Sequence, residues 1–312
     1  MQVWTWANNR WIDGEHGDGP HWFDVHLNDE AALRGLAQRF GLHQLAIEDC
    51  LSPYLHTPKL EDFEHYLFII LADMFDGDDG PAIEELDCFL GKDFLITYHD
   101  RAATPPAVEA LAGSLAQGVS VRPGTSGLFY EVADRTVDAM IPRVTSISAE
   151  LDDVEDRIFA NGNLREQHRW VLGRRALAGH LRRLLTPELQ FLLRLGRGEF
   201  SHVIDPANVP YFRDIYDHLL RVDLALEEVR EDSEVALNMY LSSLNNRLSE
   251  VMKVLAIVSA LALPGTLITG IFGTNFDNVP GLHSNQGFAL MIMSILGTAA
   301  GMGWFFKRRG WF

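Results

Sequence analysis

The chain has 312 residues, a formal net charge of −17 and two cysteines, Cys50 and Cys88. Only Lys253, Lys307, Arg308, Arg309 and Asp277 are charged from residue 253 onward, so the first 252 residues hold 22 of the 26 basic and 42 of the 43 acidic side chains, a balance of −20. A body this acidic disfavours DNA, RNA and anionic lipid as partners and favours cations, though acidity also simply keeps a domain soluble; two cysteines without CxxC spacing offer no disulfide framework and suit a reducing compartment.

In chain order, residues 2–6 and 21–27 are rich in aromatic and β-branched residues with Gly/Asp turn signals between them, which predicts edge-type strands. Met1 to Asn9 has neither a basic start nor an apolar core, so no signal peptide is expected there. Asn28-Asp29-Glu30 caps a helix from Ala31 to about Phe40, ended by Gly41. Leu60–Met74, Leu86–Leu90 and Asp93–Tyr98 read as strands, with a turn at residues 76–80, and Thr104-Pro105-Pro106 opens a further helix. Strands flanked by helices predict an α/β domain over residues 1–125.

From Gly127 the pattern is helical. Residues 128–159 and 164–195 form two long amphipathic stretches separated by Asn161-Gly162-Asn163. The second carries Arg165, Arg169, Arg174, Arg175, Arg182 and Arg183, which can bind phosphates but are expected instead to pair with Glu150, Asp152, Asp153, Glu155 and Asp156 of the first. No helix-ending residue lies between Tyr211 and Pro264, so one helix of roughly 90 Å is expected from Tyr211 to Phe272, projecting from the body into a membrane. The helical region spans residues 126–252.

Residues 253–312 read as a membrane hairpin. Val254–Phe272 and Phe288–Phe306 are each 19 residues without a charge, about 28 Å of helix against a hydrocarbon layer of roughly 30 Å. The basic residues flank the outer ends of this hairpin and the 273–287 loop has none, which puts both termini in the cytoplasm. Trp304, Trp311 and Phe312 suit an interfacial aromatic belt.

Two stripes run along the long helix. Leu237, Leu241, Leu244, Leu248, Val251, Leu255 and Val258 recur at spacings of four and three, an apolar seam of the coiled-coil kind. One residue on run Asn238, Ser242, Asn245, Ser249, Met252, Ala256, Ser259, Leu263, Thr266 and Gly270, nearly all small or polar. Two readings are open: a solvated face followed by ordinary small-residue helix contacts, or a ring of helices about a wet centre with Met252 and Leu263 as apolar collars. Continuity of the stripe into the apolar span favours the second.

The loop Phe272-Gly273-Thr274-Asn275-Phe276-Asp277 has the residues of a plain turn. It also resembles the Gly-Met-Asn loop that ends the first span of CorA-type two-span divalent-cation channels. The resemblance continues through His43–Asp49, Pro58–Phe63, Phe89–Leu95, Val209–His218 and, most closely, Tyr240–Phe276 with Glu250-Val251-Met252-Lys253 and Leu263-Pro264-Gly265-Thr266. It implies a funnel-shaped homopentamer in a bacterial inner membrane, its first span lining the pore, that conducts Mg²⁺ and often Co²⁺ or Ni²⁺; the related ZntB branch moves Zn²⁺. It further implies that the Gly273 carbonyl and the Asn275 carboxamide form an outer ring that receives the ion. Neutral oxygens suit a cation that sheds water reluctantly, whereas a carboxylate ring would retain it.

The chain departs from the family pattern at Thr274, where Met is usual, and at Val279-Pro280-Gly281-Leu282, which lacks the usual Glu; Asp277 is a partial substitute. Ser249 stands for an inner-end Asn, and Leu263 for a collar Met. The resemblance also implies a regulatory Mg²⁺ between adjacent cytoplasmic domains, held by Asp214 and by a carboxylate of the Asp76, Asp78, Asp79 turn, with Asp78 preferred. No organic cofactor is implied. Enzyme motifs (GxGxxG, Walker A, HExxH, GxSxG) are absent from the sequence. His16, His21 and His26 invite a zinc reading, but their spacing fits no metal template. A membrane-anchored sensor or scaffold without transport is the alternative of another class.

Overall fold

The computed structural model describes every residue except 9, 27–28, 78–79, 100–104, 160–163, 275–283 and 312, and the side chains of 80, 152, 155–159, 164 and 165. Two compact units result, Met1–Leu237 and Asn238–Phe312.

In the first unit, a seven-stranded sheet is built from β1 (Gln2–Ala7), β2 (Arg10–Asp13), β3 (His21–His26), β4 (Lys59–Asp62), β5 (Tyr66–Gly77), β6 (Gly80–Gly91) and β7 (Phe94–His99). Its order is β2-β1-β3-β7-β6-β5-β4, antiparallel except for the parallel β3–β7 pair. One face carries Phe23, Val25, Phe68, Ile70, Phe89, Ile96 and Tyr98 and is covered by α1 (Glu30–Phe40) and α2 (Gln44–Cys50). The other carries Trp22, Leu67, Ile69, Leu71, Cys88 and Leu95. It packs beneath α3 (Pro106–Ala116), α4 (Gly124–Phe159), α5 (Leu164–Gly196) and the start of α6 (Val209–Phe272). The α/β expectation holds, with helices on both faces of the sheet.

Three local expectations need correction. Residues 21–26 do not form an edge strand: β3 lies between β1 and β7, and its first five residues are buried. Its aromatic residues mark burial on both faces, which in a sequence looks much like edge character. Leu60–Met74 is a hairpin, with Glu64 at φ +64° turning the chain back between Asp62 and Tyr66. The continuous burial of Tyr66–Met74 hides the break, because a strand covered on both faces lacks alternation. Among the described residues, two of the α5 arginines pair with α6 instead of α4: Arg182 Nε is 2.9 Å from Asp223 Oδ1, Arg182 also meets Glu227, and Arg175 is 2.6 Å from Glu234. Arg174, 3.1 Å from Glu150, does reach α4. The Arg165, Asp152, Glu155 and Asp156 side chains lie outside the described set.

The second unit holds the end of α6 and α7 (Asn285–Arg308), the two helices among the described residues long and apolar enough to cross a membrane. They touch through a narrow seam in which a Cβ on Gly265 would lie 3.7 Å from Ile295 Cγ2. Ile257 and Phe306 are the bulky side chains buried there. Ser284 caps α7, accepting from the Gly287 amide at 3.1 Å. At the other end Phe306 stacks on Trp311 at 5.3 Å, and Trp304 is exposed beneath the Arg308 guanidinium.

Candidate functional site

Helix α6 runs 64 residues without interruption, so the ten positions of the small-polar stripe have defined directions. All ten, Asn238, Ser242, Asn245, Ser249, Met252, Ala256, Ser259, Leu263, Thr266 and Gly270, are exposed. Ile257, Leu261, Gly265 and Ile268 are the more buried positions, on the side that meets α7. At about 100° per residue the stripe lies roughly 140° away from that side. The leucine seam is uncovered as well: Leu241, Leu248, Val251, Leu255 and Val258 are each more than half exposed. Leu237 and Leu244 of the same seam are half-buried.

The helix closes on backbone contacts. The Gly273 amide donates to Thr269 O at 2.8 Å and the Thr274 amide to Ile271 O at 3.3 Å. Thr274 Oγ1 also donates to Ile271 O, at 2.7 Å, and Thr266 Oγ1 to Ala262 O at 3.0 Å. A Cβ on Gly273 would meet Thr269 O at 3.1 Å, tighter than an ordinary contact. Asn275 and Asp277 lie outside the described residues.

The second constellation joins α4 to α6. Asp134 and Asp138 stand one turn apart on α4, Asp214 and His218 one turn apart on α6. His218 Nδ1 is 3.0 Å from Asp138 Oδ1 and its Nε2 is 3.7 Å from Asp214 Oδ2. Ligand atoms of Asp134, Asp138 and His218 all fall within 4.8 Å of one another. Burial, reinforced by Asp138, raises the Asp134 carboxyl above its ordinary value, with His218 opposing the shift. Such a set could hold a cation, which would relieve the repulsion among its carboxylates. Asp76 is engaged elsewhere, 3.1 Å from Arg143 Nε, and Asp78 lies outside the described residues.

Residues 17–308 match the family described as CorA-like Mg²⁺ transporter protein. The chain belongs to this family. It is 30% identical over 301 residues to the cobalt/magnesium transport protein CorA of Thermotoga maritima, covering 94% of this chain and 83% of that one. It is 26% identical over 313 residues to the zinc transport protein ZntB of an Enterobacter strain, covering 97% and 90%. Its fold matches the complete CorA structure from Methanocaldococcus jannaschii with a TM-score of 0.88, covering 100% and 98% of the two chains at 20% identity. CorA-family chains are transporters of divalent cations, not enzymes.

Among the residues singled out from the sequence, the structure brings Asp214 beside His218, and aligns the ten stripe positions on one face of a CorA-family helix. The sequence reading missed Asp134 and Asp138. Their signal was present: two carboxylates spaced by four on a helix share a face. What pointed away from them was the expectation that the acids of this helix serve the arginines of the next.

Proposed function

We propose that the chain is one subunit of a homopentameric channel in a bacterial inner membrane, with both termini cytoplasmic, that admits Mg²⁺ and also Co²⁺ or Ni²⁺. The observation that carries this reading is the stripe on α6, exposed at all ten positions and turned away from α7. Five copies associating through the uncovered leucine seam would bring the ten stripe residues to a shared axis, with Met252 and Leu263 as collars that close by excluding water. Gly273, Thr274 and Asn275 receive the hydrated ion at the outer mouth, with Asp277 nearby. Intracellular Mg²⁺ bound at Asp214, with Asp78 of an adjacent subunit, holds the closed ring together, and Asp138 and His218 complete the acceptor set on the Asp214 side.

A ZntB-like transport of Zn²⁺ is favoured by Thr274 and Gly281, where the usual Mg²⁺-channel residues are missing. Flux into liposomes separates the readings. Mg²⁺ uptake without a proton gradient is expected. Zn²⁺ uptake that requires one would replace the channel by a carrier, and absence of any flux would leave a membrane-anchored sensor. Asn275→Ala is expected to lower Mg²⁺ flux at least about tenfold, the equivalent of roughly 1.4 kcal/mol in ion recognition.

A further inference from the structure

Apart from the α4–α6 constellation, the described residues contain one other group of clustered metal-ligating side chains: Asp24, His26 and His99. They sit at the carboxyl ends of the parallel strands β3 and β7, where Asp24 pairs with Thr97 and His26 with His99. Strand alternation places Trp22, Asp24, His26, Thr97 and His99 on one face of the sheet. Asp24 and His99 are each 1% exposed, while the His26 side chain is 34% exposed and leads to solvent. His99 Nε2 lies 3.7 Å from Asp24 Oδ1, and His26 Nε2 lies 3.7 Å from Asp24 Oδ2. Both distances are too long for hydrogen bonds. Neither ring nitrogen of His99 has a hydrogen-bond partner among the described residues.

A buried imidazole with no partner among the described residues is one that a bound ligand would satisfy. Asp24 is meanwhile oriented from behind. Trp22 Nε1 donates to Thr97 Oγ1 at 3.0 Å, and Thr97 Oγ1 donates to Asp24 Oδ1 at 2.6 Å. A hydrogen-bonded chain ending on a carboxylate is the usual outer support of a metal ligand. Bonds of about 2.0–2.1 Å to a tetrahedral ion place ligand atoms roughly 3.3–3.4 Å apart; one ligand atom from each of the three residues already lies within 4.8 Å of the other two, so a bound ion would draw the set together by about an ångström or less at most pairs. Two imidazoles and one carboxylate suit a borderline transition dication; Mg²⁺ prefers oxygen donors throughout.

We propose that Asp24, His26 and His99 form a binding site for a transition dication such as Zn²⁺, Co²⁺ or Ni²⁺, distinct from the α6 stripe and from the α4–α6 constellation. His26 and His99 supply neutral nitrogens, Asp24 supplies the charge, and the fourth position, on the His26 side, is left to water. The site does not depend on the transport reading, because its residues belong to the sheet.

The test is a Co²⁺ titration of chelator-stripped full-length protein in detergent, followed by visible absorption. One equivalent per chain should give the intense bands of a four- or five-coordinate site, displaced by Zn²⁺ and untouched by excess Mg²⁺. Asp214→Ala and His218→Ala should keep these bands. His26→Ala and His99→Gln should each lose them, and Asp24→Asn should bind at least about 100-fold more weakly, beyond the roughly 10- to 100-fold of an outer-support loss. Thr97→Val, which leaves all three ligands in place, should keep the bands with affinity reduced about tenfold. The site is refuted if the wild type shows no such bands, if they survive in both His26→Ala and His99→Gln, or if they vanish in His218→Ala instead.

Discussion

Glu188 is a carboxyl buried at the centre of the first unit, its Oε2 accepting from the Ala72 amide at 3.2 Å. Burial pushes its pKa from 4.5 up to about 8, against the Ala72 hydrogen bond and with help from Asp73. An acid whose pKa is raised by folding binds its proton more tightly in the native state. Its contribution is therefore full below pH 4.5 and is lost as pH rises through about 8. Asp87, also pushed up to about 8 by burial and by Glu85, acts with the same sign. Thermal stability should fall between pH 5 and 8 by an amount on the order of a few kcal/mol. Glu188→Gln, which keeps an oxygen for Ala72, should flatten part of that fall, and adding Asp87→Asn most of the rest. Melting temperatures across the range check this; an undiminished slope in the double variant would mean that both carboxyls are ionised in the native state. Neither group could be recognised from the sequence, where an acid in an acidic chain looks like solvated surface. Asp24 and His99 were hidden for a different reason: they are 75 residues apart and meet only because β3 and β7 pair.

Elements were legible to different degrees. Helix α6 was readable almost to its ends, because its register is local: spacings of three and four along one sequence fix which residues share a face. The sheet was less readable, since strand order depends on pairings distant in sequence. Nothing within residues 21–27 tells that β3 lies beside β7 rather than at an edge. Helix α2 was likewise seen only as a stretch of family resemblance, because seven residues are too few to display a helical period. The pair of i,i+4 couples on α4 and α6 leads to a prediction at this scale. Mg²⁺ should slow proteolysis of the wild type, and Asp214→Ala should reduce that protection, as should Asp138→Asn. Equal protection in Asp214→Ala would remove this residue from the regulatory site.

For the whole molecule, charge and assembly are opposed. In the proposed pentamer five bodies at −20 each would repel, so the assembly is expected to tighten with divalent cations beyond the effect of ionic strength alone. Light scattering in detergent should give the mass of five chains. Leu248→Glu, which puts a charge on the uncovered seam, should shift that mass toward single chains and abolish flux with it. A monomeric wild type would exclude a pore built from several copies of α6. One detail of that helix bears on which ions it tolerates. The hydroxyl hydrogens of Thr266 and Thr274 are already given to the main-chain oxygens of Ala262 and Ile271. What these side chains turn outward is then lone pairs alone. In the proposed pore a chloride ion, which needs hydrogens pointed at it, would find none on these two hydroxyls, a disfavour toward anions that needs no fixed negative charge.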